Sequence, residues 1–496
     1  MFSVISGRVT YMKDRSVYAV FLMCGLLLFF ALGNHQLQDS TEPRVAGIAM
    51  EMHLSDNWVT PTLNGEPFLE KPPLSVWLDA SAIRWFGATP LAVRLASAGA
   101  GLLILFLLYS MLCRMGRPRY VALGATLLLV TTATFWGNAR QVGEDALLTL
   151  GVTMALLAFL NTCLQRDRST VPLGDWLLFS LGIVIATLSK GVLGLAMPGV
   201  VIFAYLSLES GLEGRLVLRH WIYPLSFTLL AVVPLAVWLW LLYGQGGTES
   251  LKAVLWTNSV GRFDGSFSDA GHYEPFYYYL GKLPQAFLPW NLLVYLGLWH
   301  FRKQWRGNRY VLFFSVWLIA QFLLLTLASS KRMVYLMSLT PAAAVIAVEY
   351  LAMWHERLRH RAETSVRVRR WLQHCRGWVT GIVAVVCVAY LSDAYWLAPR
   401  ADVKLSFLPL AERVRTLQAQ GRHVVLFQPS ERLAGASVFY SESLLDTVLD
   451  EDVLQGVLKG DAHTVAIMEK TEAPRLPLKI VDRITVGERV YYFVSR

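Results

Sequence analysis

The sequence predicts a polytopic α-helical membrane protein with a small α/β domain at its C-terminal end. Three observations indicate this class. Apolar runs of about 16 to 23 residues recur along the chain, basic residues collect in alternate loops, and the composition changes to that of a soluble domain near residue 400. With 55% hydrophobic residues and 17 tryptophans in 496 residues, the chain carries more apolar surface than a water-soluble protein could bury.

The apolar runs predict about eleven membrane-spanning helices, and the charged loops assign their directions. The predicted spans cover residues 16–34, 91–113, 119–136, 144–163, 173–189, 191–208, 221–243, 285–301, 310–328, 333–352 and 377–396. The first run lacks a small-residue cleavage site after it, so we interpret it as a retained helix with a cytoplasmic N-terminus. An odd number of spans then leaves the C-terminus outside.

The strongly basic loops all fall on the predicted cytoplasmic side. They are residues 114–119, 166–168, 215–219, 302–309 and 357–376. The net charge of +10 therefore follows from topology and from anionic lipid headgroups, and we expect no nucleic-acid partner. The five cysteines lack CxxC spacing, so we expect neither structural zinc nor a disulfide framework.

We predict two domains. Residues 1–399 form the membrane domain, which includes a large outer loop at 35–90, and residues 400–496 form an extracytoplasmic α/β domain. In the second domain, helices predicted at 405–420 and 450–460 alternate with strands predicted at 423–427, 463–468 and 489–494.

The outer loop contains apolar residues at the spacing of one helical face. They are Val45, Ile48, Ala49 and Met52. This spacing predicts an amphipathic helix that lies in the membrane interface.

The same loop carries carboxylates and cations at both ends. Asp39, Glu42 and Arg44 open the helix, where Asp39 and Glu42 have the spacing of a capping box. Capping does not require Arg44, nor the Glu70–Lys71 pair that precedes two prolines at the end of the loop. We predict Asp39, Glu42 and Glu70 as the catalytic carboxylates, because a base with cationic groups nearby suits displacement at a phosphorylated sugar.

Further charged residues lie at the outer ends of the predicted spans. Arg140 and Asp145 lie where the third predicted span turns into the fourth. Lys190 lies between the apolar runs of the fifth and sixth spans, and Lys331 and Tyr335 lie at the start of the tenth span. An acid at a helix start is also favoured by the helix dipole. Topology does not require cations on this side, so a lipid headgroup or a phosphate is their simplest partner.

The second outer loop contains Arg262 and His272 among aromatic residues. Such aromatics are typical of an interfacial belt, and the two basic residues are the better candidates for substrate binding. Glu70 with His272 is a weak signal for a metal site, so the sequence leaves a divalent cation open and establishes no cofactor.

These motifs resemble those of glycosyltransferases with the GT-C fold, in the branch of protein O-mannosyltransferases and lipid A aminoarabinose transferases. The resemblance covers about residues 16–345 and rests on DSTEPRVAGIAMEM, NWVTPTLNGEPFLEKPP, RQVGEDALL, LSKG and SSKRMVYLMSLTP. It implies a polyprenyl-phosphate sugar donor and transfer on the outer face of a bacterial inner membrane. The implied acceptor is a lipid such as lipid A, another glycan or a protein.

The resemblance also implies roles for individual residues. Lys71 would hold the donor phosphate, and matches to the family motifs extend to Arg44, Glu70, Asp145, Lys190, Lys331 and Tyr335. One position departs from the pattern, because Thr41 stands where close members have an aspartate. Either Asp39 or Glu42 would take that role.

The implied reaction is an inverting displacement at the anomeric carbon, with polyprenyl phosphate as the leaving group. Two other classes of function remain open at this point. A transporter or flippase of a lipid-linked sugar would share the many spans and the buried cations, although it usually shows internal symmetry, which is absent from this sequence. A non-catalytic assembly factor would use the C-terminal domain as a binding module.

Overall fold

The computed structural model describes residues 4–38, 41–165, 173–266, 272–461, 463–469 and 478–496. Their fold is mainly helical, with a small sheet near the C-terminus, and this confirms the predicted fold class. The α-helices, in chain order, are α1 (Val4–Phe29), α2 (Thr41–Ser55), α3 (Leu74–Phe86), α4 (Pro90–Arg114), α5 (Arg119–Val130), α6 (Ala133–Ala139), α7 (Asp145–Leu164), α8 (Leu173–Glu213), α9 (Arg219–Ala231), α10 (Val233–Lys252), α11 (Arg262–Asp264), α12 (Tyr278–Ala286), α13 (Asn291–Phe301), α14 (Arg309–Leu327), α15 (Thr340–Thr364), α16 (Val366–Ser392), α17 (Ala398–Leu405), α18 (Leu408–Ala419), α19 (Glu431–Ser441) and α20 (Glu451–Gly460).

Shorter elements complete the chain. π-helical segments follow α10 and α16 at Ala253–Gly261 and Asp393–Leu397, and 3₁₀ turns lie at Arg302–Gln304 and Met333–Leu339. The strands are β1 (Thr62–Leu63), β2 (Glu66–Pro67), β3 (His423–Phe427), β4 (Asp446–Val448), β5 (Thr464–Glu469), β6 (Lys479–Val486) and β7 (Arg489–Ser495).

Seven of the described helical segments are long and apolar enough to cross a membrane, or eight when the bent pair α5 and α6 counts as one span. The predicted number of about eleven is larger for identifiable reasons. α8 combines two predicted spans, α13 has 11 residues, and the apolar part of α1 is confined to Arg15–Phe29. The chain is a multi-span membrane protein by either count.

α8 is broken at the predicted boundary between the fifth and sixth spans. Its 41 residues would extend about 60 Å as one straight helix, twice the thickness of the hydrocarbon layer. Lys190 leaves the helical region with φ −143° and ψ 22°, and Gly191 follows with φ 55° and ψ −127°. A side chain at position 191 would be strained in this conformation, so the glycine allows the break.

The chain divides into two compact units. The first comprises Met1–Phe30, Ser97–Arg140 and Glu144–Leu391, and the second comprises Ala31–Ala96, Gln141–Gly143 and Ser392–Arg496. The outer loop therefore groups with the C-terminal region. The division into domains at residues 1–399 and 400–496 remains a prediction from the sequence.

The first unit is built around α7, which is buried over nearly its whole length and packs along α8. α14 and α15 pack in the same unit, α14 against α8 and α15 against α5 and α13. Apolar side chains such as Phe106, Trp240 and Leu327 point outward and are exposed. Exposed apolar side chains on long helices are typical of a surface that faces lipid.

The second unit contains a five-stranded mixed sheet in the order β4-β3-β5-β7-β6. β3 pairs in parallel with β4 and β5, while β7 pairs antiparallel with β5 and β6. Alternate residues of β3 point to opposite faces. Val424 and Leu426 join the larger core with α2, α18 and α19, and Val425 and Phe427 pack with α20.

The predicted interfacial helix exists as α2, but its environment differs from the prediction. The predicted apolar face of Val45, Ile48, Ala49 and Met52 is buried in the protein core of the second unit. The opposite side is covered as well, since Gly47, Met50 and Glu51 are buried. The predicted apolar face therefore packs against protein, and the position of this helix in the membrane interface remains a prediction. Protein, mainly α3 and α19, covers the helix.

Candidate active site

A short hairpin places Glu70 and Lys71. β1 and β2 pair antiparallel around Asn64-Gly65, the residue pair typical of two-residue hairpin loops. The buried Glu51 on α2 accepts hydrogen bonds from the amides of both turn residues, at 3.0 Å from Gly65. The NGEP part of the motif therefore fixes the hairpin against α2, and Glu70 follows three residues after β2.

Arg44, Glu70 and Lys71 form one ion-pair cluster in the second unit. Glu70 Oε2 lies 3.5 Å from an Arg44 Nη2 and 3.7 Å from Lys71 Nζ. Arg44 also lies over the Phe68 ring, 5.6 Å from its centroid. All three charged side chains are largely buried but retain some exposure, between 10% and 20%. Partly buried cations of this kind can bind an anion that enters from solvent.

Glu42 lies in a separate, fully buried arrangement with Arg94. The Arg94 guanidinium donates from Nε to Glu42 Oε1 at 2.9 Å and from Nη2 to Oε2 at 2.7 Å. Backbone amides supply the remaining contacts, with Val142 N 3.1 Å from Oε1 and Gln38 N 3.2 Å from Oε2. The acceptor sites of a carboxylate are thereby used, as in a structural ion pair.

The environment of Glu42 decides its protonation. Burial alone raises the pKa of this carboxyl, but the charge and hydrogen bonds of Arg94 and the two backbone amides outweigh it. The net effect lowers the pKa of Glu42 below its ordinary value. Glu42 is therefore an ionised carboxylate near neutral pH. Its predicted role as a general base remains a prediction, and its contacts fit a structural role better.

Asp39, the alternative to Glu42, lies outside the described residues. The segment directly before it is well held, because the Gln38 side chain donates to Asp402 Oδ1 at 2.7 Å and to the Ala398 carbonyl at 3.1 Å. The role of Asp39 as a base remains a prediction from the sequence.

A second charged cluster lies in the first unit, at the break in α8. Lys190 forms ion pairs with Asp145 and, at 3.3 Å, with Glu144, at the start of α7. Its ammonium also lies 4.2 Å from the centroid of the Tyr335 ring, a cation–π contact. Three predicted residues, Asp145, Lys190 and Tyr335, are therefore in contact, and two acids face one lysine.

Lys331 and His272 meet through the backbone of the first unit. The Lys331 amide donates to the His272 carbonyl at 2.8 Å, and its ammonium donates to the carbonyls of Glu274, at 3.1 Å, and Ala328. Burial lowers the pKa of Lys331 below its ordinary value, while Glu274 acts in the opposite direction. Arg262 begins the short helix α11. The binding roles of these residues remain predictions.

Arg140 contacts the C-terminal end of α1. Its guanidinium donates to the carbonyls of Leu27, Leu28 and Phe30 at 2.8 to 3.0 Å and lies over the Trp136 ring. Basic side chains near a helix C-terminus satisfy carbonyls that lack partners within the helix. These contacts are those of a helix cap, and the predicted substrate role is untested by them.

No group of three or more histidine, cysteine, aspartate or glutamate side chains with the geometry of a metal site occurs among the residues that the structure describes. The described carboxylates of both clusters are instead paired with cations.

Sequence reasoning missed Arg94 and Glu431. Arg94 has a recognisable signal, since it is a single arginine near the start of an apolar run, where a charge needs a partner. Glu431 has no local signal. It contacts Arg44 Nη1 at 2.7 Å across 387 positions of the sequence.

Comparison with known proteins finds similarity over the N-terminal part of the chain. The family model for dolichyl-phosphate-mannose-protein mannosyltransferase matches residues 19–244. An undecaprenyl phosphate-alpha-4-amino-4-deoxy-L-arabinose arabinosyl transferase of Pseudomonas aeruginosa (strain LESB58) is 28% identical over 334 residues, which are 66% of this chain and 58% of that protein. A transferase of the same name from Aeromonas hydrophila is 28% identical over 372 residues, or 74% of this chain and 64% of that protein. The match thus spans less than two thirds of these relatives.

Solved structures extend the similarity to nearly the whole chain. ArnT from Cupriavidus metallidurans bound to undecaprenyl phosphate has a TM-score of 0.73 at 20% identity, covering 96% of this chain and 97% of that one. The archaeal oligosaccharyltransferase AglB from Archaeoglobus fulgidus has a TM-score of 0.58 at 11% identity, with coverage of 92% and 70%. Residues 19–244 are therefore similar to the protein mannosyltransferase family, and the chain has the GT-C fold, as its motifs indicated.

Proposed function

We propose that this protein is a membrane glycosyltransferase that moves a sugar from a polyprenyl-phosphate donor, such as undecaprenyl phosphate, to an acceptor of the cell envelope. The family domain, the transferases named above and the GT-C fold support this class of activity. The alternative function, transport of a lipid-linked sugar, is distinguished by the experiment below.

The observation that carries the proposal is the cluster of Arg44, Glu70 and Lys71. It places two cations within 4 Å of one carboxylate, at the two motifs that the sequence singles out. A phosphate leaving group develops negative charge as its bond to the sugar breaks, and cations that stabilise this charge lower the barrier. Lys71 is the proposed phosphate ligand, with Arg44 beside it.

The proposed reaction is a single displacement. An acceptor oxygen attacks the anomeric carbon, the bond from that carbon to the phosphate oxygen breaks, and polyprenyl phosphate leaves with the electron pair. The configuration at the anomeric carbon is inverted. A hydroxyl acceptor must also lose its proton, and a carboxylate then serves as general base. A phosphate acceptor has no proton to lose, so the carboxylates would only orient groups and balance charge.

Asp39 is the base that we favour for a hydroxyl acceptor. Glu42 is engaged by Arg94 and two backbone amides, so a proton transferred to it would compete with a buried ion pair. Glu70 is shared by two cations, Arg44 and Lys71, and this arrangement suits a role in charge balance.

The second cluster and the remaining predicted residues are proposed as substrate-binding groups. They are Arg140, Asp145, Lys190, Arg262, His272, Lys331 and Tyr335.

The proposed location is a bacterial inner membrane, with a cytoplasmic N-terminus, the C-terminal domain on the periplasmic face, and transfer on that face. Lipid A, another glycan or lipid, and a protein are the proposed acceptor classes.

The test is transfer by the purified full-length protein. A panel of radiolabelled undecaprenyl-phosphate sugars, including 4-amino-4-deoxy-L-arabinose and mannose, is offered with lipid A or membrane extracts as acceptors. Lys71→Met, Lys71→Arg, Glu70→Gln and Asp39→Asn are assayed in parallel with Lys303→Met. Lys303 lies in a predicted cytoplasmic loop and makes a matched control.

We expect one donor to be consumed, with most activity lost in Lys71→Met and part of it kept in Lys71→Arg. If instead no donor is consumed, and labelled lipid-linked sugar crosses the membrane of proteoliposomes, the protein is a flippase and the transferase proposal is wrong.

A further inference from the structure

The C-terminal domain touches the first motif through two helices that cross at glycines. α19 packs on α2 so closely that a methyl group on Gly435 would lie 2.6 Å from Cα of Arg44 and 2.8 Å from the carbonyl carbon of Pro43. A methyl group on Gly47 would in turn collide with the backbone of Gly435. Backbones that approach this closely leave little freedom in the relative position of the two helices.

This crossing brings Glu431 to Arg44. The Arg44 Nη1 donates to Glu431 Oε2 at 2.7 Å, a short charge-assisted hydrogen bond. The Glu431 side chain is 47% exposed and that of Arg44 is 12% exposed. Glu431 is therefore the outer member of the charged cluster, and Arg44 is held from the C-terminal domain as well as from the outer loop.

The neighbours of Glu431 fix the start of α19. Ser430 accepts a capping hydrogen bond from the Leu433 amide at 3.5 Å, and its hydroxyl donates to Glu469 on β5. On the other side, Arg432 donates to the Tyr491 hydroxyl on β7 at 2.8 Å. Glu431 therefore lies at a helix end that is hydrogen-bonded to two strands of the sheet, β5 and β7.

The same domain also holds the chain just before the motif. The Tyr440 hydroxyl on α19 accepts from the Leu37 amide at 2.9 Å, and Asp402 on α17 accepts from the Gln36 amide at 2.9 Å. Contacts from the C-terminal domain therefore lie on both sides of Thr41 to Arg44.

The charges explain what Glu431 contributes. Glu70 lies within 4 Å of both Arg44 and Lys71. Without the carboxylate of Glu431, Arg44 would be drawn more strongly toward Glu70. Glu70 would then move toward Arg44 and away from Lys71. Arg44 is thus held between two carboxylates, and Glu70 is held between two cations.

We propose that Glu431 is a positioning residue of the donor-phosphate site, supplied by the C-terminal domain, which holds Arg44 so that Glu70 stays with Lys71. This inference rests on the proposed function, since it needs a phosphate that binds at Arg44 and Lys71. It assigns the α/β domain a part in donor binding.

The test compares Glu431→Gln, Glu431→Asp and Glu412→Gln in the full-length protein. Glu412 is an exposed glutamate on α18 in the same domain, so its variant makes the same change of charge away from the cluster. Two quantities are measured: the Kd for undecaprenyl phosphate by native mass spectrometry, and the donor KM and kcat with the sugar that the wild type uses. The melting temperature of each variant reports folding.

We expect Glu431→Gln to raise the Kd and the donor KM about tenfold, with a smaller change in kcat and an unchanged melting temperature. Glu431→Asp recovers part of the affinity, and Glu412→Gln behaves as the wild type. The inference is overturned if Glu431→Gln binds undecaprenyl phosphate as the wild type does. A loss of affinity that follows a lower melting temperature and is not recovered by aspartate overturns it too.

The binding measurement separates this inference from the proposed function. If the wild type binds undecaprenyl phosphate, the affinity falls in Glu431→Gln, and no sugar is transferred, the transferase proposal is contradicted and the positioning role of Glu431 is supported. A wild type that does not bind undecaprenyl phosphate contradicts both.

Discussion

Arg94 and Glu42 form a two-point ion pair that joins the start of α4 to the start of α2. The Arg94 side chain is fully buried, and every nitrogen of its guanidinium donates to an acceptor. Besides Glu42, these acceptors are the carbonyls of Leu32, His35 and Gln36. One arginine thus fixes the chain between α1 and α2, and with it the approach to the first motif.

Replacing Arg94 by leucine will destabilise the protein strongly. The substitution leaves the Glu42 carboxylate buried without its main counter-charge and leaves three carbonyls without their donor. Removing one partner of a buried pair typically costs about 3 to 5 kcal/mol. Equilibrium unfolding of the purified protein in a detergent titration measures the loss.

Arg84→Leu is the matched control, because Arg84 is an exposed arginine on the neighbouring helix α3. The double variant Arg94→Leu with Glu42→Leu should be more stable than Arg94→Leu alone, since it removes the unpaired charge as well. If Arg94→Leu and Arg84→Leu are equally stable, the ion pair does not hold this part of the fold.

Glu42 also predicts a loss of stability in acid. The charge and hydrogen bonds of Arg94 make the pKa of Glu42 lower in the folded protein than in the unfolded chain, so the unfolded state binds the proton more tightly. The stabilisation is therefore complete above the unfolded pKa and is lost as the pH falls through the folded pKa. The melting temperature between pH 3 and pH 7 measures this effect.

Other carboxyls such as Glu469 also have a lowered pKa, so the comparison with Glu42→Gln isolates the contribution of Glu42. The wild type should be clearly more stable than this variant near neutral pH, and the difference should shrink in acid. A difference that stays constant over the whole range would contradict the assignment.

Local patterns of the sequence were sufficient for much of the fold. The strand predicted at 423–427 coincides with β3, and the predicted helix at 450–460 matches α20 within one residue. The break of α8 was predicted from the Ser189-Lys190-Gly191 interruption. These features depend on hydrophobic periodicity and on residues that end helices, which act over a few positions.

The partners of the charged residues could not be predicted from local sequence patterns. The capping-box spacing of Asp39 and Glu42 is a local signal, whereas the observed partner of Glu42 is Arg94, 52 positions later. α2 has an apolar face that fits lipid and protein equally well, and its contact with α19 depends on chain segments nearly 400 positions apart. A periodic pattern shows which face is buried but not what covers it.

Gly191→Ala will reduce stability by disturbing the break in α8. The φ of 55° and ψ of −127° at this position are unfavourable for any residue with a Cβ, at a cost of about 1 to 3 kcal/mol. Gly199 lies in the same helix, and a methyl group there would meet no atom within 4 Å. Gly199→Ala should therefore be neutral or stabilising in the same detergent titration. Equal effects of the two substitutions would argue against the break at Lys190.

Asp39→Asn and Glu42→Gln will separate a chemical role from a structural one. If Asp39 is the base for a hydroxyl acceptor, Asp39→Asn should lower kcat by about 10² to 10⁴ and leave the melting temperature unchanged. Glu42→Gln should lower the melting temperature because Arg94 loses its charged partner, and the folded fraction should keep most of its kcat. Measuring kcat per folded molecule, with the melting temperature of each variant, distinguishes the two. The reverse result, a stable Glu42→Gln without activity beside an active Asp39→Asn, would assign the base to Glu42 and show that its contact with Arg94 opens during the reaction.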